Sequence, residues 1–392
     1  MDILLTIIHL IDFLLWLFVA GSVFYVSLFA IISLFPTKSS SKNINKESRR
    51  TRFLVLFPAY KEDRVIINSL NKFVEQDYPR DCYDVAVIAD HMQDDTIAVL
   101  RDLPIKVLVP HFDKSSKAKA LQYAIANIGS DYDYVVILDA DNVVENKFLT
   151  QLNQKLSVKQ YTAIQCHRCA KNKDNEIAVL DGVSEEINNS IFRKAHNAIG
   201  LSSALIGSGM CIKYNWFADN VNLLTTAGED RELEALLLRQ GKYIKYEEFI
   251  YVYDEKVSNQ DNFQRQRLRW MTAQLQSLSS MLPYIPKAIR KHNVDYIDKT
   301  IQQALIPRSI LIALTLLLSV ITLIINPVAS IKWWCLFFSI SIAILIATPS
   351  KLRTKSIVKS IKFLPRLIWK MCCNILRIDT SNKDFIHTTH DK

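Results

Sequence analysis

The stretch Tyr134-Val135-Val136-Ile137-Leu138-Asp139-Ala140-Asp141-Asn142 decides how this chain is read. Its first five residues are uncharged and rich in β-branched side chains, the pattern of a strand buried on both faces. It then ends abruptly in two carboxylates one residue apart. On an extended backbone, side chains two positions apart point the same way. Asp139 and Asp141 are therefore expected to face one site at the carboxyl end of a central strand, the edge where open α/β sheets bind ligands. Two convergent carboxylates suit a hard cation, Mg²⁺ or Mn²⁺, that shares its other positions with water and phosphate oxygens. A polar turn after a strand has the same sequence, and Asp-x-Asp alone does not separate the two readings.

On either side of this stretch, apolar runs alternate with segments of helical spacing. Strands are expected over Arg52–Phe57, Tyr83–Ala89 (ending at Asp90), Ile105–Val109 and Thr162–Gln165. Helices are expected over Arg64–Glu75, Thr96–Asp102, Ser116–Ile128, Ile177–His196 and Arg231–Arg239. This alternation predicts βαβ units, a mostly parallel sheet of Rossmann-like α/β class, and helices on both faces.

Three apolar segments, Ile3–Phe35, Leu305–Ile325 and Ile331–Ala347, approach or exceed the roughly 20 residues needed to cross a bilayer. No basic residue precedes the first, and it is too long for a signal peptide, so it reads as a retained anchor. The net charge is +9, but it is unevenly placed. Residues 36–52 carry six Lys/Arg and one Glu, and residues 351–377 carry eight Lys/Arg and no acid, which leaves −4 on the remainder. Basic clusters flanking the spans place the middle of the chain and the tail in the cytoplasm and attract anionic membrane lipid. An acidic middle domain argues against nucleic acid as a partner. Seven cysteines without a regular framework fit a reducing compartment. Cys166-His167-Arg168-Cys169 lacks the second ligand pair a zinc site needs and reads as structural. Cys372-Cys373 reads as ordinary packing, with acylation as the alternative.

The expected layout is an anchor over 1–35, a basic linker over 36–50, an α/β domain over 51–275, an amphipathic interfacial segment over 276–304, a transmembrane helix pair over 305–348 and a basic amphipathic tail over 349–392.

Six local signals sit where a strand ends or a helix begins: Pro58-Ala59-Tyr60-Lys61-Glu62, Asp90, Lys117, Asp139 with Asp141, Glu229-Asp230, and Gln266-Arg267-Leu268-Arg269-Trp270. Together they make one coherent site. A diphosphate leaving group needs positive charge, available from a metal on Asp139 and Asp141 and from Lys117 or Arg269. A hydroxyl acceptor needs a carboxylate to take its proton, and Asp230 suits that role. Trp270 offers a ring face to a sugar or base. Each signal alone has a plainer reading: Glu229-Asp230 as helix N-terminal charge, Arg269 and Trp270 as juxtamembrane anchors, Lys117 as a solvated helix residue. In a chain with eight glycines, Gly207-Ser208-Gly209 marks a close backbone approach. No Gly-x-Gly-x-x-Gly follows the first strand, which disfavours a dinucleotide oxidoreductase.

This ordered set, closed by Gln266-x-x-Arg269-Trp270, resembles the family 2 glycosyltransferases with a GT-A fold, and within them the membrane-embedded cellulose, chitin and hyaluronan synthase-like branch. The resemblance covers residues 50–275 and the membrane layout. It implies that Pro58, Ala59, Tyr60, Glu62 and Asp90 hold a nucleoside, normally uridine, with Lys117 near the nucleotide. It implies Asp139 and Asp141 as the seat of the metal and diphosphate, and Asp230 as general base for inverting displacement at the anomeric carbon. Glu229, Gln266, Arg269 and Trp270 would contact the diphosphate and acceptor, with Gly207 and Gly209 lining the acceptor pocket. Lys61 stands where Asn is common, His91 where a second acid is common, and Ser116 where Gly is frequent. These departures bear on the donor pocket, not on the reaction type.

The implied activity is transfer from a UDP-sugar, of UDP-Glc or UDP-GlcNAc type, to a growing cell-surface polysaccharide at a bacterial inner membrane. The alternative is transfer of one sugar to a lipid or lipid-linked acceptor. A glycan-conducting tunnel needs several helices, so three spans call for a homo-oligomer or a secretion partner under the first reading.

Overall fold

The computed structural model describes residues 2–36, 49–226, 228–354 and 359–380. Most of the expected linker and the end of the tail, residues 37–48 and 381–392, lie outside them.

Eight strands form one sheet: β1 Phe53–Tyr60, β2 Tyr83–Asp90, β3 Lys106–Leu108, β4 Tyr134–Ile137, β5 Val143–Val144, β6 Ala163–Ala170, β7 Met210–Lys213 and β8 Ile244–Asp254. Their order is β3-β2-β1-β4-β7-β6-β8-β5. Pairing is parallel from β3 to β4 and between β6 and β8, while β7 and β5 run against their neighbours. The uninterrupted apolar run of β1 serves both faces of the sheet. Phe53, Val55 and Phe57 enter a core with Ile66, Phe73, Leu100 and Phe148 on one side. Leu54 and Leu56 pack with Leu121, Phe217, Leu233 and Leu237 on the other. A strand covered on both faces has no polar side to alternate with, which is why its sequence is continuously apolar.

The apolar segments form helices Asp2–Ile32, Arg308–Ile325 and Pro327–Ala347. Within them His9–Ile32, Arg308–Ile325 and Pro327–Ala347 are long and apolar enough to cross a membrane. Val19, Val23, Val26 and Phe29 of the first pack with Leu311, Trp333 and Ile340, and with Ile187 and Ile191 of the α/β domain. Polar contacts fasten this span to the α/β domain. Tyr25 Oη donates to Asp298 Oδ1 at 2.6 Å and lies 2.9 Å from His196 Nε2, and the Phe29 ring stacks on His196 at 3.8 Å.

Residues 276–304 comprise the end of one helix, a short helix Ile285–Arg290 and a further helix. Helix Gln260–Met281 crosses the expected boundary, and helix Val294–Ala304 turns its polar side inward. Lys299 is buried and pairs with Glu234 at 2.8 Å, and Tyr296 is 2% exposed. Lys299 thus meets a buried partner on helix Glu229–Arg239, whereas Lys287, Arg290 and Lys291 are exposed beside the exposed apolar side chains Leu282, Ile289 and Val294. The tail helix Leu364–Ile375 likewise packs Leu367 and Met371 against Phe263, Met271 and Ile310.

Candidate active site

β1 and β2 end in register, with Tyr60 opposite Asp90. Both chains then turn through left-handed residues, Lys61 at φ 56° and His91 at φ 53°, a conformation uncommon outside glycine. Lys61 N–H donates to the Asp90 carbonyl at 3.1 Å. The Asp90 side chain is 2% exposed and lies 2.6 Å from His91 Nδ1. The Tyr60 ring meets His91 edge-on at 5.6 Å. Pro58, Ala59, Tyr60, Glu62 and Asp90 thus border one end of a cavity of about 930 Å³.

β4 stops at Ile137, and the two carboxylates that follow are not on an extended strand. Asn142 N–H donates to the Asp139 carbonyl at 3.0 Å, and Asn142 Oδ1 accepts from Asp139 N–H at 3.0 Å. The segment is a side-chain-braced turn. The expectation that Asp139 and Asp141 converge through strand alternation is therefore corrected: they reach the same cavity around a turn. Asp139 pairs with Lys117 Nζ. Asp141 is 3% exposed, and its Oδ2 accepts from Glu255 N–H at 2.8 Å.

Lys117 opens helix Lys117–Asn127 behind Ser116, whose Oγ accepts from Lys119 N–H at 3.2 Å. Its ammonium also donates to the Gly207 carbonyl at 2.7 Å and lies 3.5 Å from Glu229 Oε1. Burial works against its charge, but Asp139 and Glu229 outweigh burial and raise its pKa. Gly207 adopts φ +65°, and a Cβ there would lie 3.7 Å from Lys117 Nζ, Glu229 Oε1 and Asp230 Oδ2 alike. These groups, from two helices far apart in sequence, surround one point beside Gly207. Gly209, also left-handed at φ +66°, lies behind the site, where a Cβ would meet Val252 Cγ2 at 3.0 Å. It serves close packing of β7 rather than lining the pocket.

Glu229 and Asp230 begin helix Glu229–Arg239. Burial pushes Glu229 up to about 7; Lys117 opposes this, while Asp230 and Asp139 add to it. Gln266, Arg269 and Trp270 reach the cavity from helix Gln260–Met281. Burial lowers the Arg269 pKa, against the opposing pull of Glu229, Asp139 and Asp230. Gln266 Oε1 is buried without a hydrogen-bond partner among the described residues, an acceptor open to a ligand hydroxyl. Arg267, passed over in the sequence, stacks on the Trp270 ring at 4.2 Å and pairs with Asp181. Asn142 and Ser208 were also missed. They brace Asp139, whose N–H donates to Ser208 Oγ at 3.2 Å. Only the placement of Asn142 directly after Asp-x-Asp could have signalled this.

Among the described residues no group of three or more His, Cys, Asp or Glu is disposed to hold a metal unaided. Mg²⁺ and Mn²⁺ do not require one, since one or two carboxylates with phosphate oxygens and water suffice. Asp139 and Asp141 at the cavity wall fit that donor set.

The elevated Glu229 pKa makes a stability prediction. The folded state holds this proton above the unfolded value of 4.5, up to about 7. The associated stability is complete below about 4.5 and is lost as pH rises through about 7. The wild-type melting temperature should fall by a few degrees across that window, and Glu229→Gln should flatten the fall. Parallel pH profiles for the two proteins would contradict the assignment.

Fold and site together define a GT-A glycosyltransferase. The family model "Glycosyltransferase like family 2" matches residues 50–273, and the chain belongs to that family. A mannosyltransferase from Pyrobaculum calidifontis, solved with GDP-mannose and Mn²⁺, superposes with a TM-score of 0.54 at 17% identity, covering 86% of this chain and 96% of that one. TarS from S. aureus with UDP-GlcNAc gives 0.43 at 13% identity over 84% and 91%. Glucosyl-3-phosphoglycerate synthase from Mycobacterium tuberculosis with Mn²⁺, UDP and phosphoglyceric acid gives 0.37 at 18% over 54% and 72%. At these identities the first likeness establishes a common fold. Among curated proteins no sequence matches the chain.

Proposed function

We propose that this protein is an inverting, metal-dependent glycosyltransferase that moves one sugar from a UDP-sugar to a hydroxyl of a lipid-anchored acceptor at the cytoplasmic membrane face. One observation carries the choice of acceptor. The cavity bordered by Lys117, Asp139 and Asp230 is continuous with side chains of all three spans, including Val26, Ile312, Ile344 and Leu345. An acceptor with a hydrocarbon chain can rest in the bilayer while its polar end reaches the carboxylates.

In this reading Ala59, Tyr60, Glu62 and Asp90 hold the nucleoside. Asp139 and Asp141 would hold a divalent cation, which would supply Lewis-acid charge to the diphosphate. Lys117 and Arg269 add fixed positive charge where negative charge grows on the leaving group. Asp230 takes the acceptor hydroxyl proton, and Gln266 and Trp270 orient the acceptor. The domain runs over 51–275, held between the anchor at 1–35 and the helix pair at 305–348. The Lys/Arg excess beside the spans supports a cytoplasmic catalytic domain.

A growing polysaccharide, favoured by the resemblance to the synthase-like branch, would use the same first chemical step. Product length separates the two. Full-length protein incubated with labelled UDP-sugar and total membrane lipid is expected to give one-sugar lipid products. A ladder of long glycans would overturn the lipid reading in favour of the polymer.

A further inference from the structure

The cavity contains a second polar group, built largely from residues not assigned above. Arg168 comes from β6, Arg193 from the π-helical turn Asn189–Ala195, Lys256 from two residues past the end of β8, Arg267 from helix Gln260–Met281, and Arg308 from the start of the second span. All five border the cavity. Their ion-pair partners are three carboxylates. Glu185 lies 2.9 Å from Arg193, 3.2 Å from Arg168 and 3.8 Å from Lys256. Asp254 lies 2.7 Å from Lys256 and 3.7 Å from Arg168, and Asp181 pairs with Arg267. Cations outnumber the carboxylates paired to them.

Arg308 is the one left over. Its Nη2 donates to the Ser184 carbonyl at 3.1 Å, to Ser184 Oγ at 3.4 Å and to Asn188 Oδ1 at 2.8 Å. No carboxylate pairs with it among the described residues, and its Nη1 is buried without a hydrogen-bond partner. The Nε atom of Arg193 is likewise buried without one, and that of Arg168 has only Asp254 Oδ2 at ion-pair distance, 3.7 Å. A guanidinium cannot lose its charge, and buried donors left unmade are costly. Several unmade guanidinium donors around one cavity indicate an anionic ligand, and their planar geometry suits phosphate oxygens. The π-helical turn that presents Arg193 and Phe192 is of a kind frequent at functional sites. The same cavity is also lined by apolar side chains, among them Ile306, Ile312 and Ile344, and Leu364 and Ile368 of the tail helix.

We infer that this cluster, centred on Arg308, binds a phosphate group carried by the acceptor, whose hydrocarbon chain lies along these apolar side chains. The inference rests on the lipid-anchored reading and adds the headgroup chemistry. It concerns binding, with Lys117 and Arg269 left to the donor diphosphate.

The test is a binding comparison on full-length protein in neutral detergent. Hexadecyl phosphate should bind about 10- to 100-fold more tightly than hexadecanol, the range for a hydrogen-bonded charge. Arg308→Gln should bring the two within about threefold of each other while UDP affinity holds. Equal wild-type affinity for the phosphate and the alcohol would overturn the inference. So would inorganic phosphate matching hexadecyl phosphate, or a loss confined to UDP in Arg308→Gln. The wild-type comparison needs no variant, so a folding defect in Arg308→Gln would leave the test intact. Sugar transfer to neutral lipids without phosphate preference would remove this subsite and leave the proposed function. Phosphate preference without any transfer would do the reverse.

Discussion

Asp230→Asn is expected to slow sugar transfer by about 10²- to 10⁴-fold, the range for loss of a positioned general base, while UDP affinity stays within about twofold. Asp230 Oδ1 accepts from Arg231 N–H at 2.8 Å, which fixes the carboxylate at the start of its helix, where the dipole favours negative charge. Its Oδ2 faces the point beside Gly207 that Lys117 and Glu229 also approach. Asparagine keeps the size and the backbone hydrogen bond but cannot take a proton. Neighbouring Glu229 is less accessible to an acceptor hydroxyl, because it is 7% exposed and lies 3.5 Å from Lys117 Nζ. Initial rates at saturating donor, with UDP binding measured separately, decide the matter. An unchanged rate would remove Asp230 as the base. A rate loss explained by lost UDP affinity would make it a binding residue instead.

Lys117→Met should have the second large effect, on both stability and donor binding. The ammonium neutralises Asp139 and Glu229 at once and donates to the Gly207 carbonyl at 2.7 Å. Removing one member of a buried ion-pair group leaves charge uncompensated and costs about 3–5 kcal/mol. The cost should depend on pH with a definite sign. Lys117 is the neighbour that lowers the Glu229 pKa, so without it Glu229 holds its proton to still higher pH. The variant should therefore lose more melting temperature at pH 8 than at pH 5.5, where a protonated Glu229 relieves the repulsion. UDP affinity should fall about tenfold or more with the lost charge. Equal destabilisation at both pH values, with UDP affinity intact, would show that Lys117 serves neither role.

Five of the eight strands were legible, most of them short apolar runs that end in turn residues. β1, β2, β3 and β4 fall where the pattern placed them, and the strand expected at Thr162–Gln165 is the start of β6. β8 was not legible. Its sequence Ile244-Lys245-Tyr246-Glu247-Glu248-Phe249-Ile250 carries charge in mid-strand, and only the folded chain shows that Glu247 meets Lys155 at 3.1 Å and Glu248 meets Lys194 at 2.9 Å. β7 is four residues long and antiparallel to both its neighbours, too short for alternation to register beside two glycines. The expected helix Ile177–His196 forms, but changes to π-helical pitch at Asn189–Ala195, a local widening that spacing does not encode.

The same division runs through the site. Asp139, Lys117 and Asp230 stand at element ends, where polar residues beside a strand or opening a helix are conspicuous, whereas Gln266 lies within helix Gln260–Met281 and was legible only as part of Gln266-x-x-Arg269-Trp270. The arginine cluster is invisible in sequence because its contacts join residues far apart, as when Arg308 reaches Ser184 and Asn188. The turn at Asp139–Asn142 illustrates a subtler loss. The residues were identified, but the backbone that presents them depends on one asparagine side chain bracing Asp139 N–H.

The most direct test of the central claim is nucleotide release by the detergent-purified, full-length protein. A panel of UDP-sugars would be supplied with membrane lipid, in Mn²⁺, in Mg²⁺ and in EDTA. Release of UDP from one donor, dependent on lipid and abolished by EDTA, is the predicted result. Release that persists undiminished in EDTA, or no release from any UDP-sugar with lipid present, would contradict a metal-dependent transfer from a UDP-linked donor.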